Sequence, residues 1–195
     1  MCFCFVLFLG FPQTVHAKEI PYIKGEYVPF IKEACEKYNV SPYLVAAIIW
    51  TESRWQADAS NETCIGLMQV SEKWHKQRMI DNNVTNLYDP EGNILIGTEY
   101  LSELMHKYTE PALCLMVYNG VSKAEQKYAD GIISTYAKKI LEIEEVFKNC
   151  YNLETTRGKM LKLSKPKREL VYSMNKGQEK LPQYVSHLKN YRTKE

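Results

Sequence analysis

The fold of this chain is decided by residues 41–53, which read SPYLVAAIIWTES. Ser41 is a preferred helix N-cap, and Pro42 is a preferred first residue of a helix. Every residue at positions 44–50 is apolar, so this helix has no polar face to present to solvent. These features predict a central, buried helix that ends near Trp55.

Similar signals predict further helices on both sides of this segment. The predicted helices are one with Ile31, Ala34, Cys35 and Tyr38 on one face, a short one from Ser71 through Trp74, one opened by Asp89 and Pro90, one from Pro111 to Tyr118, and a long last one carrying Ile133, Tyr136, Ala137, Ile140, Ile143 and Phe147. Strand signals are weak, so residues 56–70 hold at most a short hairpin, and residues 79–88 are predicted to form a loop. The predicted fold class is therefore mainly α.

Glu52 places an ionisable group at the end of the central helix. It follows Ile48 by four residues and Val45 by seven, so it extends the apolar stripe of that helix. Burial and the negative end of the helix dipole both raise the pKa of a carboxyl group. A carboxyl that stays protonated near neutral pH can act as a general acid. The alternative is a surface glutamate that reaches solvent or pairs with Arg54.

The amino terminus begins with a nearly continuous apolar run from Cys2 to Phe11. A run of about ten residues is shorter than the roughly 20 that cross a bilayer, but it matches the core of a signal peptide. Val15 and Ala17 are small residues that fit cleavage after Ala17. We therefore predict that residues 1–17 are a signal peptide and that the protein is exported to the cell envelope or the extracellular space. Because no basic residue precedes the run, a buried first strand is the alternative.

The cysteines and histidines give no sign of a metal centre. Four cysteines follow the predicted leader: Cys35, Cys64, Cys114 and Cys150. In an exported chain they permit disulfides in three alternative pairings, or they are buried thiols. No Cys-x-x-Cys spacing occurs and the four histidines are scattered, so we predict no metal site and no cofactor.

Charge is distributed unevenly along the chain. Residues 1–150 carry 14 basic and 19 acidic side chains, whereas residues 151–195 carry 11 basic and 4 acidic ones, and the formal net charge is +2. This total excludes a nucleic-acid binder that acts by bulk charge. We predict a globular domain over residues 18–150 and a loosely ordered basic tail over residues 151–195. The tail would bind an anionic polymer or a membrane surface, or serve as a solvated linker.

Four short motifs follow one another along the chain. They are Glu52-Ser53 after an apolar helix, Gly66-Leu67-Met68-Gln69-Val70, Asn93-Ile94 with Gly97 and Tyr100-Leu101, and Tyr118-Asn119-Gly120. In this order and spacing, over about residues 25–148, they resemble the catalytic domain of soluble lytic murein transglycosylases, the SLT domain, which is related to goose-type lysozyme. The resemblance implies a lysozyme-like helical fold. It also brings Cys64 and Cys114 near two of the motifs, either as small buried thiols or as a disulfide across the floor of a cleft.

The resemblance also implies an activity. Members of this family cleave the β-1,4 bond between N-acetylmuramic acid and N-acetylglucosamine in peptidoglycan, and they form a 1,6-anhydromuramyl product. By matching positions, Glu52 is the general acid and then the base, and the substrate-binding residues are Ser53, Met68, Gln69, Tyr118, Asn119 and Tyr136. Most glycosidases need two carboxylates. One suffices where the acetamido group of the substrate assists and its own 6-hydroxyl attacks, because that attack is intramolecular.

Each supporting residue also has a structural interpretation. Met68 could fill the core, Gln69 could satisfy buried backbone groups, and Tyr118 could serve only for packing. Asn119 and Gly120 could simply end a helix.

Two other functions compete with the transglycosylase. The first is a hydrolase similar to goose-type lysozyme, for which Asp58 or Asp81 would activate a water molecule. The second is a non-catalytic protein that binds or assembles the cell wall. The predicted partner is the peptidoglycan glycan strand. The biological setting stays open between wall remodelling, a conjugation or secretion apparatus, and phage entry.

Overall fold

Seven α-helices and one short 3₁₀ turn make up residues 21–153, the part of the chain that the computed structural model describes. The turn is Gly25–Tyr27, and the helices are α1 (Val28–Tyr38), α2 (Pro42–Glu52), α3 (Glu72–Asp81), α4 (Pro90–Lys107), α5 (Pro111–Tyr118), α6 (Ala124–Ala129) and α7 (Thr135–Cys150). The predicted signal peptide over residues 1–17 lies outside the described residues, and so do residues 154–195 of the basic tail predicted for residues 151–195.

Helix α2 is the centre of the fold, as its sequence predicts. The Ser41 hydroxyl accepts a hydrogen bond from the backbone N–H of Leu44 at 3.3 Å, and every residue from Tyr43 to Trp50 is buried. Each large apolar side chain buried in this way contributes about 1.5–3 kcal/mol relative to an exposed one. The helix packs against α7 and α1.

The other helices are joined to this centre through α1 and α7. Helix α1 packs against both α2 and α4, and its buried residues are Ile31, Ala34 and Cys35. Helix α5 packs against both α4 and α7, and α3 contacts α4. The carboxyl-terminal ends of α2 and α5 and the start of α7 therefore supply one side-chain cluster, which is described below.

Two helix ends differ from the sequence-based prediction. Helix α2 ends at Glu52 rather than near Trp55, because Arg54 and Trp55 adopt positive φ angles of 53° and 66°. Helix α3 continues past Trp74 and takes in the first part of the loop predicted for residues 79–88. Only Met79 is buried in α3, so this helix has almost no apolar periodicity to reveal its length.

Helix α6 was not predicted at all. It has six residues, Ala124–Ala129, of which Ala124 is the buried one. A helix this short shows no recognisable apolar period, because a period of 3.6 residues repeats less than twice within it.

The mainly α fold class is confirmed for the described residues, which contain no extended strand. In the segment before α3, isolated antiparallel bridges join Ser60 to Ile65 and Ile65 to Val70. The predicted limit of one short hairpin at most therefore holds in this region. None of the helices within residues 21–153 is long and apolar enough to cross a membrane.

The four cysteines form no disulfide within residues 21–153. Cys35, Cys64 and Cys114 carry free thiols, so the Cys64–Cys114 disulfide is not formed. Burial raises the pKa of Cys35 to about 12 and that of Cys114 to about 11. The Cys114 thiol donates to the carbonyl oxygens of Tyr108 at 3.1 Å and Leu104 at 3.5 Å. Cys35 and Cys114 are therefore protonated at neutral pH.

Candidate functional site

Glu52 is the last residue of α2, and its side chain meets α7. The Tyr136 hydroxyl donates a hydrogen bond to Oε1 of the Glu52 carboxyl group. Tyr136 lies in the first turn of α7, where the Ser134 hydroxyl caps the helix by accepting a hydrogen bond from the N–H of Ala137 at 3.2 Å. The packing of α2 on α7 therefore sets the orientation of the Glu52 carboxyl group.

The environment of Glu52 raises the pKa of its carboxyl group above the usual value. Burial is the main cause, and the hydrogen bond from Tyr136 opposes it by favouring the carboxylate. No second carboxyl group contributes to this shift among the described residues. Glu52 is therefore a single half-buried acid, and Oε2 is the oxygen that Tyr136 leaves available.

The motif Gly66–Val70 forms a tight loop beside this acid. Gly66 has a φ of +77°, and a Cβ at this position would lie 2.2 Å from Nδ2 of Asn93 and 2.5 Å from the carbonyl oxygen of Leu87. Only glycine fits both the backbone conformation and the space. The close approach lets Asn93 hold the loop.

Asn93 is fully buried in α4 and makes three hydrogen bonds to the backbone around the loop. Its Nδ2 donates to the carbonyl oxygens of Ile65 and Leu87, both at 2.8 Å. Its Oδ1 accepts from the N–H of Met68 at 2.8 Å. One amide side chain therefore holds the start and the middle of the loop.

Gly97, one helical turn after Asn93, makes room for Met68. A Cβ on Gly97 would lie 2.6 Å from the Met68 sulfur and 2.9 Å from the Met68 Cβ. Met68 is fully buried against this glycine, and its side chain belongs to the core rather than to an open surface. The backbone of Met68, however, faces the site, because its carbonyl oxygen accepts a hydrogen bond from the Tyr118 hydroxyl at 3.0 Å.

Tyr118 begins a row of rings that leads away from Glu52. Burial, and next the negative charge of Glu52, raise the pKa of Tyr118 well above its usual value. The Tyr118 ring lies 5.5 Å from that of Tyr100, and the Tyr100 ring lies 4.6 Å from that of His75. Burial is also the main factor that lowers the pKa of His75, so this imidazole is neutral at pH 7. The row joins α5, α4 and α3 along one side of the site.

Three of the residues predicted to bind substrate make hydrogen bonds within the protein. Gln69 donates from Nε2 to the carbonyl oxygens of Gly66 at 3.0 Å and Ala59 at 3.2 Å. The buried Ser53 hydroxyl donates to the carbonyl oxygen of Ile49 at 3.1 Å. Asn119 is exposed at the end of α5, and its N–H bonds to the carbonyl oxygen of Leu115. The structure thus brings together Glu52, Tyr136, Tyr118 and Met68.

The motif on α4 is visible in the sequence, but the sequence predicted no role for Asn93, Gly97 or Tyr100. Asn93, Gly97 and Tyr100 are spaced by four and three residues, so they share one face of α4. That face carries the loop anchor, the contact with Met68 and the middle ring of the aromatic row. The spacing was the available signal. His75 had no such signal, because it stands alone in a polar stretch.

Other candidate groups lie apart from this cluster. Asp58 and Asp81, considered as helpers for a hydrolase, are both exposed, and Asp81 accepts a hydrogen bond from Gln77 at 2.8 Å. Across residues 21–153, no group of three histidine, cysteine, aspartate or glutamate side chains could hold a metal ion. The site therefore offers acid–base chemistry from a single carboxyl group with a tyrosine hydrogen-bonded to it.

Comparisons with known proteins point to one family. Residues 29–141 match the family model described as the transglycosylase SLT domain. The chain is 36% identical over 96 residues to membrane-bound lytic murein transglycosylase C of Serratia proteamaculans, and 35% identical over 91 residues to the protein of that name from Yersinia enterocolitica. Each alignment covers 43% of this chain and 25% of the relative. The chain therefore spans about a quarter of the length of these curated relatives.

Similarity to a solved structure supports the same fold. An inactive mutant of lytic transglycosylase Slt from Pseudomonas aeruginosa aligns with a TM-score of 0.53 and 18% identity. The alignment covers 61% of this chain and 23% of that chain. At this level of identity the likeness describes the fold, which is the helical architecture of the SLT domain.

Proposed function

The chain belongs to the transglycosylase SLT domain family, and from that premise we propose that it is a peptidoglycan lytic transglycosylase. The observation that carries the proposal is Glu52, a half-buried carboxyl group whose raised pKa owes nothing to a second carboxyl group within residues 21–153. A lone acid of this kind suits a reaction that needs one group to give a proton and later to take one back.

In the first half of the reaction, Glu52 is the general acid. Its protonated Oε2 donates to the oxygen of the β-1,4 bond between N-acetylmuramic acid and N-acetylglucosamine. The bond from that oxygen to C1 of the muramic acid breaks, and N-acetylglucosamine leaves as the alcohol. The substrate's acetamido group stabilises the positive charge that develops at C1. The raised pKa keeps Glu52 protonated for this step.

In the second half, the Glu52 carboxylate is the general base. It takes the proton of the 6-hydroxyl of the same muramic acid while that oxygen bonds to C1. The product is 1,6-anhydromuramic acid, and Glu52 regains its proton without consuming water. Because the attacking hydroxyl belongs to the substrate, proximity supplies much of the rate.

The neighbours of Glu52 receive proposed roles from their contacts. Tyr136 is a positioning residue, because its hydroxyl holds Oε1 and leaves Oε2 to face the glycosidic oxygen. Tyr118 and the backbone of Met68 form the opposite side of the site. Ser53, Gln69 and Asn119 remain proposed substrate-binding residues. For Gln69 the internal hydrogen bonds favour a role in shaping the loop that the glycan touches.

The setting we propose is the cell envelope. The relatives are named as membrane-bound murein transglycosylases, and murein is the polymer that this chemistry cleaves. The proposed partner is the glycan strand of peptidoglycan. Export by the amino-terminal leader over residues 1–17, and binding of anionic polymer or membrane by residues 151–195, remain proposals from the sequence.

The first experiment tests Glu52 with a nearly isosteric change. Glu52→Gln removes the transferable proton but keeps the shape, so we expect the rate of peptidoglycan cleavage to fall by roughly 10²–10⁴-fold. Glu142→Gln is the matched control, because Glu142 is exposed on α7. Turbidity loss of purified peptidoglycan measures the rate, and thermal unfolding should show an equal or higher melting temperature for Glu52→Gln.

The second experiment separates the transglycosylase from the hydrolase. Mass spectrometry of the digest should find anhydromuramic ends, which are one water molecule lighter than reducing ends. Reducing ends alone would replace the transglycosylase by a hydrolase. Full activity of Glu52→Gln would remove the catalytic assignment altogether.

A further inference from the structure

Trp74 is the most exposed of the large apolar side chains in the described part of the chain. Its side chain is 76% exposed, compared with 59% for Ile80 and 46% for Tyr88. The other two tryptophans, Trp50 and Trp55, are each only 2% exposed. A single exposed apolar residue is ordinary in a globular protein. The position of Trp74 in the fold is what makes its exposure informative.

Trp74 directly precedes His75, the outer member of the aromatic row beside Glu52. It belongs to the first turn of α3, which starts directly after the loop Gly66–Val70, and its N–H bonds to the carbonyl oxygen of Ser71 at 3.2 Å. The next residue is His75, the outer ring of the row formed with Tyr100 and Tyr118. Helix α3 is kinked at His75, with φ −115° and ψ 16°. Trp74 therefore stands one residue before the ring that ends the row on the side away from Glu52.

We propose that Trp74 is a glycan-stacking residue at an outer position of the substrate-binding cleft, a role that rests on the proposed function. Its occupant is a saccharide unit of the same strand whose bond lies at Glu52, beyond the units that contact Tyr118 and Tyr100. The row would then guide an amphipathic polymer over the surface of α4 and α3.

The chemistry of an indole suits a sugar ring. One face of a pyranose presents C–H groups and its edges present hydroxyl and acetamido groups, so it needs an apolar plane beside polar partners. Tryptophan offers a large rigid plane at a small cost in side-chain entropy. The Lys73 ammonium group lies 5.4 Å from the centre of the Trp74 ring. A cation at an exposed ring is held weakly, so it can move aside or bind sugar oxygens. The neutral imidazole of His75 offers one donor and one acceptor nearby.

The chain provides a direct optical test. Because Trp50 and Trp55 are buried, acrylamide should quench the fluorescence of Trp74 selectively. The Glu52→Gln variant of the full chain prevents turnover, and peptide-free glycan strands serve as the probe. We expect bound strands to protect most of the quenchable fluorescence. Unchanged quenching at saturating strands would overturn the proposal.

Kinetics of variants supply the second readout. Trp74→Ala should raise KM for glycan strands about tenfold, the loss expected for one aromatic anchor, with kcat nearly unchanged. Trp74→Phe should recover most of the loss because it keeps an aromatic plane. Ile80→Ala on the same helix is the control and should match the wild-type protein. A Trp74→Ala protein with wild-type KM, or with only kcat reduced, would contradict a stacking role.

The experiments distinguish failure of the stacking role of Trp74 from failure of the catalytic role of Glu52. If Glu52→Gln stays active while Trp74→Ala still weakens binding, the catalytic assignment fails and the stacking residue stands. If Glu52→Gln is inactive and Trp74→Ala binds as tightly as the wild-type protein, the reaction stands and the stacking residue is refuted.

Discussion

The two sides of the site are built by different physical means. The carboxyl side consists of Glu52 and Tyr136, carried by α2 and α7, and is positioned by the packing of two long helices. The loop side consists of Gly66–Val70 and Tyr118, and is positioned by hydrogen bonds and close contacts with α4. The first depends on many apolar contacts, and the second depends on a few polar atoms and two glycines.

This difference predicts different responses to mutation. A cluster of apolar contacts spreads the cost of one change over many atoms. A buried polar network concentrates the cost, because a lost partner leaves desolvated donors and acceptors unpaired. Changes on the loop side should therefore alter stability and activity together. Changes on the carboxyl side should alter activity with little loss of stability.

The largest stability effect is expected for Asn93→Ala. It leaves the N–H of Met68 and the carbonyl oxygens of Ile65 and Leu87 without their buried partner. At about 1–3 kcal/mol for each unsatisfied group, we expect a loss of about 4 kcal/mol in the free energy of unfolding. Urea unfolding measures it, and peptidoglycan cleavage should fall as the loop loosens. Asn149→Ala is the control, because that exposed side chain bonds only within α7, to Glu145. Equal stability of the two variants would contradict the anchoring role.

A smaller loss is expected for Gly97→Ala. The added methyl group would press against the sulfur and Cβ of Met68, and overpacking of this kind costs about 1–3 kcal/mol. We expect a lower melting temperature together with reduced cleavage. Gly25→Ala makes the same change where no atom lies within 4 Å, so it should behave as the wild-type protein does. If Gly97→Ala keeps its stability, Met68 can move to accommodate the added methyl group, which would contradict the predicted rigidity of the loop side.

The smallest effect on stability is expected for Tyr136→Phe, which tests the carboxyl side. Loss of the hydrogen bond to Glu52 should cost about 1 kcal/mol in stability and roughly tenfold in kcat. That hydrogen bond lowers the pKa of Glu52, so its removal raises the pKa further. A general acid loses activity as the pH rises through its pKa, and the alkaline limb of the pH profile should therefore shift to higher pH.

The matched control for Tyr136→Phe is Tyr128→Phe. It removes another tyrosine–glutamate hydrogen bond, at 3.2 Å to Glu110, near the start of α5 rather than at its end. Its pH profile should match that of the wild-type protein. A shift of the alkaline limb to lower pH in Tyr136→Phe would contradict the assigned role of the hydroxyl.

The sequence predicted the carboxyl side well because that side follows helical rules. Ser41 and Pro42 mark the start of α2, and the spacing of Glu52 from Ile48 places it on the buried stripe. Such signals are local. The fold class could be predicted for the same reason, since five of the helices carry clear starts or apolar faces.

The motifs named residues of the loop side, but not its geometry, because that geometry depends on distant residues. Gly66–Val70 has no period, and its conformation is set by Asn93, 25 residues after Met68. Ser53 illustrates another limit. Its motif suggests contact with substrate, but its hydroxyl bonds to the carbonyl oxygen of Ile49, a common choice for serine near the end of a helix. Motif spacing alone does not distinguish these two uses.

The shared face of α4 also limits how the chain length can change. Asn93, Gly97 and Tyr100 act together only while their spacing matches the turns of one helix. An α-helix turns by about 100° per residue, so one residue inserted between Asn93 and Gly97 would rotate the anchor away from the contact with Met68 and the aromatic ring. Insertions at residues 82–89, between α3 and α4, would leave that alignment intact. Length variation in descendants of this chain should therefore collect between the helices and spare the interior of α4.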